Sequence, residues 1–415
     1  MLGRLSHRLL FAMSERHISQ ALHGNGRSVK PFFVCWCLYT LTLLSSAAVL
    51  RGVSAGFDFR NFYAAGYMVR MEPAKLYNLA EQQRVQDMLV SRGDLAMPFI
   101  HPSYEALLFA PFSLLSYPRA HLCFIAFNSV LLALLFVAAY PLFSSSIPIW
   151  QPRPGLMFFA FLPLYIAILH GQDSVLFFLL CCMVWLQLES GSNVWAGCTL
   201  ALGLFKFQWA IPIAILWSFR RGWRFFTAFL ATAAAVAAIC IGIVGRPGMK
   251  SLIELVSAAS LAHDQSAAAQ MVLAISPRKM PNIAGLFYLI THRLPSEFAF
   301  AVVLAASTAV FAWCLYLVKR AKDDRVAFAI SLYCAALVSH HMYLYDETIL
   351  LLAVGILSKH ISRAGLLAFY ILPAILIASN GRDWLFLAAL PTLWLLGMAS
   401  RLIKTRSLTP CPATV

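Results

Sequence analysis

The chain runs Gly56-Phe57-Asp58-Phe59-Arg60-Asn61-Phe62-Tyr63-Ala64-Ala65-Gly66 directly after an apolar run from Pro31 to Leu50. The apolar run is long enough to cross a bilayer as a helix. The stretch after it places an acid, a base, an amide and a phenol where the chain leaves the bilayer. Ionisable groups at such a boundary are costly to desolvate, so this stretch is a candidate functional site. The alternative is a solvated loop in which Asp58 only caps a short helix.

The composition is typical of a protein that crosses a membrane many times. Of the 415 residues, 61% are hydrophobic and 12% are charged, and the mean hydropathy is +0.76. Apolar runs of about 18 residues or more recur along the chain. They do not alternate between polar and apolar residues, as the strands of an outer-membrane barrel do. The sequence therefore predicts an all-α, polytopic membrane protein.

The net charge of +15 is explained by the membrane and not by nucleic acid. The basic residues stand mostly at the ends of apolar runs, where they set topology and meet anionic lipid headgroups. No nucleic-acid motif is present, so membrane lipids are expected partners and nucleic acid is not. The ten cysteines are scattered, many of them inside apolar runs, which argues against a zinc or disulfide framework.

The apolar runs predict about twelve helices with both termini in the cytosol. The run from Val194 to Phe219 is predicted to form two short helices that meet at Lys206 and turn back there. As one helix it would place three arginines outside, against the positive-inside rule. A broken helix at this depth is tolerated where it lines a cavity or water. The other helices are predicted at Pro31–Leu50, Arg119–Leu142, Gly155–Leu169, Ser174–Leu188, Phe225–Val244, Glu297–Val318, Val326–Val338, Thr348–Leu357, Ala364–Ala378 and Trp384–Ala399.

This topology divides the chain into three parts. Residues 1–30 are a basic cytosolic segment, residues 31–400 the transmembrane domain, and residues 401–415 a cytosolic tail. The first apolar run lacks a small-x-small cleavage site, so it is predicted to be a retained anchor. Two long outer loops are predicted, at residues 51–118 and 246–296. The first contains a polar helical stretch from Leu79 to Val90 and a short interfacial helix from Ala106 to Leu115.

The polar groups then fall at the outer ends of the helices, whereas the cytosolic turns hold mostly basic residues. This asymmetry indicates a cavity that opens outward. The groups expected around it are Asp58, Arg60, Asn61, Tyr63, His101, His170, Gln172, Asp173, Lys206, Gln208, His340, His341, Tyr343, Asp346 and Asp383.

Their chemistry suits transfer of a group from a lipid-linked phosphate to a hydroxyl. Asp58 is the candidate general base. Lys206, His340 and His341 are the candidates that bind the phosphate and stabilise the charge it gains on leaving. Simpler roles stay open: Lys206 could snorkel or pair with Asp173, and the two histidines could end an ordinary loop.

His170 and Asp173 could likewise only cap the helix that follows them. No cofactor is expected. A divalent metal held by His341 and Asp346 is the alternative for this part of the site.

Several motifs in order resemble glycosyltransferase family 87. They are Asp58-Phe59…Phe62-Tyr63-Ala64-Ala65-Gly66, Leu76-Tyr77, His101-Pro102…Ala110-Pro111-Phe112, Gly171-Gln172-Asp173, Ala196-Gly197…Lys206-Phe207-Gln208 and the region from His340 to Asp346. The resemblance covers about residues 50 to 350. The chain departs from the family pattern at two places. Many members have Pro-Pro where this chain has His101-Pro102, and Lys-Pro where it has Lys206-Phe207.

The resemblance implies a GT-C fold and an integral membrane hexosyltransferase. It implies transfer of a sugar, with mannose expected, from a polyprenyl phosphate to a glycolipid or glycan hydroxyl. The reaction would take place on the extracytoplasmic side of the inner (plasma) membrane and invert the anomeric carbon. In this chain the family's catalytic acid falls on Asp58, the lysine of the helix break on Lys206, and a donor-binding histidine on either His340 or His341.

A transporter or lipid-linked sugar flippase is the competing class. It would also combine many helices, broken helices and charges near the membrane midplane. Such a protein should show internal repeats and polar groups usable from both sides, and neither is apparent in the sequence. A catalytically idle family member acting as a scaffold is a further alternative, against which intact Asp58 and Lys206 argue.

Overall fold

The computed structural model describes residues 29–50, 57–92, 97–144, 156–260, 277–294, 296–379 and 382–405. Within these residues the chain is helical and forms no strand, which confirms the predicted all-α class. The N-terminal segment before residue 29, the central part of the second outer loop (residues 261–276) and the tail after residue 405 lie outside the described residues.

The α-helices, in chain order, are α1 Val29–Val49, α2 Phe59–Met71, α3 Leu79–Leu89, α4 Ser103–Phe109, α5 Tyr117–Ser144, α6 Leu156–Phe159, α7 Leu162–Leu169, α8 Ser174–Glu189, α9 Asn193–Leu202, α10 Phe207–Arg221, α11 Trp223–Ser260, α12 Ile283–Thr291, α13 Ser296–Arg320, α14 Asp324–Val338, α15 Leu350–Leu357, α16 Arg363–Ala378 and α17 Ala389–Thr405. Short 3₁₀ turns lie at Pro73–Lys75, Phe112–Leu114, Leu204–Lys206, Pro277–Lys279, Leu344–Ile349 and Arg382–Ala388.

Fewer helices qualify as membrane spans than the sequence predicts. Among the described residues, five helices are long and apolar enough to cross a bilayer: α1, α5, α11, α13 and α17. The bent pair α9–α10 would make a sixth, and α8 and α16 are shorter apolar helices. The predicted count of about twelve is therefore not confirmed.

Burial explains part of this difference. Every residue of α14 from Val326 to Leu337 is buried. Its apolar side chains therefore pack against neighbouring helices and not against lipid. A helix in this position need not be as long as the bilayer is thick. The predicted helix from Gly155 to Leu169 is instead divided into α6 and α7, with Pro163 in the first turn of α7.

The helix predicted to end at Val244 continues to Ser260 after a kink. Gly245 has a φ of 71°, and Pro247 follows it inside the helical run. Glycine adopts this backbone conformation without the steric cost that other residues meet. The first part of the predicted second outer loop is therefore helical.

The break predicted at Lys206 is present. Helices α9 and α10 are bent by 65° across Gly203 and the turn Leu204–Lys206. A Cβ on Gly203 would lie 2.7 Å from the ring of Phe177, so the close packing against α8 requires glycine. At the far end of α10, Arg221 donates to the carbonyl oxygen of Leu188 in α8 at 3.2 Å. The bent pair thus returns toward the side from which it started.

The charges at this return point form a basic end of the bundle. Arg220 donates to Asp324 at 2.7 Å and to the carbonyl oxygens of Val318 and Ala321. Arg325 pairs with Glu189 at 3.0 Å. Since α8, α10 and α14 each have one end here, their other ends lie together at the opposite end of the bundle.

The predicted first outer loop folds into α2, α3 and α4 around an aromatic core that also includes Phe124 of α5. Phe59, Phe62, Phe99 and Phe109 are each 0–1% exposed in this core. The Phe59 N–H donates to the His170 carbonyl oxygen at 2.9 Å, which attaches the start of α2 to the turn before α8. The loop therefore holds Asp58 beside the outer ends of the helices.

Gly66 allows α2 to pack directly on α4, and this packing gives a testable prediction. A Cβ at Gly66 would lie 2.5 Å from both the carbonyl carbon and the carbonyl oxygen of Phe109. We expect Gly66→Ala to lower the free energy of unfolding by about 2 kcal/mol, because backbone must move. Thermal unfolding in detergent measures the loss.

Gly242→Ala in α11 is the matched control. No atom of the described residues lies within 4 Å of a Cβ at Gly242. Alanine should therefore be tolerated there, or stabilise the helix by up to about 1 kcal/mol. Equal melting temperatures for the two variants would contradict the close packing of α2 on α4.

Candidate active site

A buried lysine lies at the end of the bundle opposite the basic end. Lys206 is 3% exposed, and its Nζ lies 2.8 Å from Asp173 Oδ1 and 2.8 Å from Asp346 Oδ1. The Ser174 hydroxyl donates to Asp346 Oδ1 at 2.9 Å, and the Tyr343 N–H donates to Asp346 Oδ2 at 3.2 Å. Buried charges persist only when they are paired and hydrogen-bonded, and this network meets that condition.

The pairing settles one choice that the sequence left open. Lys206 does pair with Asp173, and Asp346 is a second partner 140 residues away in the chain. Asp173 makes no capping hydrogen bond to α8, although it occupies the capping position. An ammonium group has three N–H donors. Two of those on Lys206 are directed at carboxylates, and one remains for another ligand.

A second cluster of charges adjoins the lysine. His101 Nδ1 lies 2.8 Å from Glu105 Oε2 and 3.8 Å from Asp173 Oδ2. Glu105 is 3% exposed, whereas His101 is 19% exposed at its side chain. Burial raises the pKa of the Glu105 carboxyl, and His101 offsets part of that rise.

Glu105 is a residue that sequence reasoning missed. It belongs to the first turn of α4, next to the stretch from Ala106 to Leu115 that the sequence predicts to be an interfacial helix. The available signal was an acid four residues after His101, a spacing that places both side chains on one face of a helix.

Asp58 is more exposed than the carboxylates around Lys206. It directly precedes α2 and makes no capping hydrogen bond with its side chain, so helix capping does not explain it. Its side chain is 26% exposed, and Oδ2 lies 3.6 Å from His170 Nδ1. The His170 ring stacks on Phe57 at 4.6 Å. Burial raises the pKa of the Tyr343 phenol, and Asp58 and Asp346 add to the rise, so Tyr343 is near both carboxylates.

The two adjacent histidines lie beside the helix break. His340 stacks on Phe207 with ring centroids 5.4 Å apart, and His341 approaches Tyr343 edge-on at 4.9 Å. Burial lowers the pKa of His340. Burial also lowers the pKa of His341 to about 3, with further effects from His340, Lys206 and His101. Both imidazoles are therefore neutral near pH 7 and act as hydrogen-bonding groups.

This state of His341 predicts a pH dependence of stability. The unfolded chain takes up a proton on His341 near its ordinary pKa of 6.5, whereas the folded protein takes it up only near pH 3. The contribution of His341 is therefore fully present above pH 6.5 and is lost as the pH falls toward 3. One proton accounts for at most about a tenfold change in the folding equilibrium per pH unit. Thermal unfolding between pH 7 and pH 4.5 should show a smaller decline in His341→Gln than in the unmodified protein, and parallel declines would contradict the buried neutral state.

Other predicted site residues lie outside this cluster. Arg60 is 1% exposed, donates to the Ser91 carbonyl oxygen at 3.1 Å and lies 3.7 Å from Asp87, so it holds the outer loop together. The Tyr63 hydroxyl donates to the Leu115 carbonyl oxygen at 2.7 Å. These two side chains are part of the loop core and make these contacts within the loop.

Four predicted residues remain, of which the side chain of Asp383 lies outside the described residues. Asn61 stands in the first turn of α2, and its Oδ1 is buried without a hydrogen-bond partner among the described residues. Gln172 is 4% exposed, and its carbonyl oxygen accepts a hydrogen bond from Asn128. Gln208 is partly buried in the first turn of α10, two residues after Lys206.

Tyr104 supports the helix break and was also missed from the sequence. Its hydroxyl donates to the Leu202 carbonyl oxygen at 2.8 Å and accepts from the Phe205 N–H at 2.8 Å. It thereby satisfies backbone groups on both sides of Gly203 that a continuous helix would have paired internally. A contact between residues 98 positions apart has no local sequence signal.

We expect Tyr104→Phe to loosen this break without unfolding the protein. Loss of the two hydrogen bonds should cost about 1–2 kcal/mol, because the released backbone groups are only partly exposed to water. Hydrogen exchange at the Phe205 amide should become about tenfold faster. Tyr316→Phe, at a side chain that is 56% exposed on α13, is the control and should leave that amide unchanged. An unchanged rate in Tyr104→Phe would contradict the supporting role.

Comparison with known proteins assigns the chain to a family. A family model described as glycosyltransferase family 87 matches residues 99–339, which is more than half of the chain. The matched part contains His101, Asp173 and Lys206, whereas Asp58 and Asp346 lie outside it. No curated protein and no solved structure matches the chain. Taken with its membrane-spanning helices, the match shows that the chain belongs to glycosyltransferase family 87 and is a membrane glycosyltransferase.

Proposed function

We propose that the protein transfers a hexose, with mannose as the expected sugar, from a polyprenyl phosphate to a hydroxyl group of a glycolipid or glycan. The observation that carries this proposal is the position of Asp58. A partly exposed carboxylate shares the neighbour Tyr343 with Asp346, one of the two carboxylates that hold the buried lysine. This arrangement offers a base to the acceptor and a polar, water-poor environment to the phosphate.

Asp58 is the proposed general base. Its carboxylate removes the proton of the acceptor hydroxyl while the acceptor oxygen forms a bond to the anomeric carbon. The bond from that carbon to the phosphate oxygen breaks, and its electron pair leaves with the polyprenyl phosphate. Attack opposite the leaving group inverts the anomeric carbon. His170, 3.6 Å from Asp58 Oδ2, orients the carboxylate for this step.

The leaving phosphate is proposed to be held by the helix break. Lys206 donates its third N–H to the phosphate. His340 and His341 are neutral, so their imidazoles contribute hydrogen bonds to the phosphate but no positive charge. The break of α9–α10 carries Lys206, and Tyr104 bonds the backbone at Leu202 and Phe205 beside it. Positioning and preorganised dipoles are the larger contributions to such a reaction.

The proposed side of the membrane follows from the charges. Arg220, Arg221, Lys319 and Arg320 lie at the end of the bundle opposite Lys206. Short basic segments of this kind stay in the cytosol. The site then faces the extracytoplasmic side of the inner (plasma) membrane, where a polyprenyl phosphate donor and a lipid acceptor meet in one bilayer.

The test is sugar transfer by the purified protein in detergent from radiolabelled polyprenyl-phosphate-mannose. We expect a labelled product that appears only with an added membrane-lipid acceptor and whose new glycosidic bond has the inverted configuration. A transporter or flippase gives a different result. It would leave the donor intact and show substrate-dependent flux in liposomes that survives Asp58→Asn.

A further inference from the structure

We propose that His101, Glu105 and Asp173 form a binding site for a divalent cation of the Mn²⁺ type. One ligand atom from each residue lies within 4.8 Å of the other two. The ligands come from two segments that meet in the fold, since His101 and Glu105 flank the start of α4 and Asp173 directly precedes α8. This site differs from the His341–Asp346 pair that the sequence suggested and from the expectation that no cofactor is bound.

The geometry brings three ligand atoms to one side of the lysine network. His101 Nδ1 lies 2.8 Å from Glu105 Oε2 and 3.8 Å from Asp173 Oδ2. Lys206 contacts the other oxygen of Asp173, Oδ1, so Oδ2 is left facing His101. Asp346 is held by Lys206, Ser174 and Tyr343 and does not compete for this position.

The burial of the carboxylates indicates that a ligand is needed. Glu105 is 3% and Asp173 1% exposed, and Oε1 of Glu105 has no hydrogen-bond partner among the described residues. A buried charged oxygen left without a partner is costly. The 19% exposure of the His101 side chain leaves a route by which an ion and its water ligands can enter.

The charge balance favours a divalent ion. With a metal bound, Glu105, Asp173 and Asp346 would carry three negative charges, of which Lys206 offsets one. The ion would displace the proton that the raised pKa of Glu105 favours in its absence. With neutral His101, two negative charges remain, which a divalent cation would cancel. One imidazole with two carboxylates is a donor set that suits Mn²⁺, between the oxygen-only preference of Mg²⁺ and the nitrogen and sulfur preference of Zn²⁺.

This ion would also reduce the electrostatic repulsion between the site and the phosphate of the proposed donor. A phosphate that approaches a cluster with excess negative charge is repelled, whereas a bound cation makes the same cluster a phosphate site. The role of the ion in binding phosphate rests on the proposed function, but the metal-binding site itself does not. The alternative is a proton shared between Glu105 and Asp173, with no metal bound.

The experiment is titration of Mn²⁺ alone into the purified, metal-stripped protein in detergent. Electron paramagnetic resonance measures the free hexaaquo ion that remains. We expect one Mn²⁺ bound per chain, and at least about tenfold weaker binding in Glu105→Gln and in Asp173→Asn. Glu72→Gln, at an acid of the same loop that is 33% exposed and pairs with Lys75, is the control and should bind as the unmodified protein does.

The melting temperature is a second readout, which keeps the test decisive if a variant folds poorly. Mn²⁺ bound to the native state should raise the melting temperature of the unmodified protein and of Glu72→Gln, but not that of Glu105→Gln. Binding to the unmodified protein no tighter than to Glu105→Gln, with no rise in melting temperature, would overturn the site. Sugar transfer by metal-stripped protein that binds no Mn²⁺ would reject the metal site and keep the function. Specific Mn²⁺ binding without any sugar transfer would keep the metal site and reject the proposed function.

Discussion

Replacing Asp58 with asparagine should lower sugar transfer by about a hundredfold to ten-thousandfold, the range expected for loss of a general base. Asparagine has nearly the same shape but cannot accept the proton of the acceptor hydroxyl. The side chain makes no capping hydrogen bond and is partly exposed, so the fold should not depend on its charge. Initial rates of transfer with saturating donor measure the effect, and the melting temperature should stay unchanged.

Asp87→Asn is the matched control for this substitution. Asp87 is an acid of the same outer loop, 34% exposed and 3.7 Å from Arg60, away from the lysine network. Its variant should retain transfer within about twofold, because asparagine keeps the oxygen that lies near Arg60 and accepts from Gln83. Equal losses of activity in the two variants would show that charge in the loop matters in general, and Asp58 would lose its assigned role.

The second large effect concerns Lys206. Lys206→Met should destabilise the protein by about 3–5 kcal/mol, since removal of one partner leaves two buried carboxylates without their counter-ion. Asp173 and Asp346 are 1% and 2% exposed, so water cannot replace the ammonium group. A strongly reduced melting temperature and loss of folded protein on size-exclusion chromatography are the expected observations.

The triple variant Lys206→Met, Asp173→Asn, Asp346→Asn separates stability from activity. It removes the buried charges together, so most of the lost stability should return. Transfer should stay absent, because no ammonium group is left to contact the leaving phosphate. Full stability of the single variant would contradict the buried network. Transfer by the triple variant would show that Lys206 does not contribute to the reaction.

Local signals predicted the elements of this fold well. The helix predicted at Ser174–Leu188 lies at Ser174–Glu189, and that predicted at Ala364–Ala378 lies at Arg363–Ala378. The break near Lys206 was recognised because a continuous helix would have placed three arginines on the wrong side. Each of these conclusions depends only on hydrophobicity and charge along a short stretch of chain.

The number of membrane spans was not predictable in the same way. Apolar composition does not distinguish a helix facing lipid from one enclosed by other helices, and α14 is of the second kind. The continuation of α11 past Gly245 was missed because glycine and proline usually end a helix.

Several residues named from the sequence lie together in the fold, but most of their contacts could not be predicted. Lys206 and Asp173 were expected to be close, but Asp346 as a second partner depends on packing between segments 140 residues apart. Glu105 was overlooked because its neighbours are apolar. Arg60 was expected near the substrate, whereas the fold uses it to join α2 to the end of the outer loop.

The most direct test of the account is a cryo-electron microscopy structure of Asp58→Asn with an intact polyprenyl-phosphate-mannose. The variant should bind the donor without consuming it. The account predicts density for the sugar between residue 58 and Lys206, with the phosphate at the helix break and the polyprenyl chain leading into the bilayer. Donor density elsewhere on the protein, with the space between residue 58 and Lys206 filled by side chains, would contradict it.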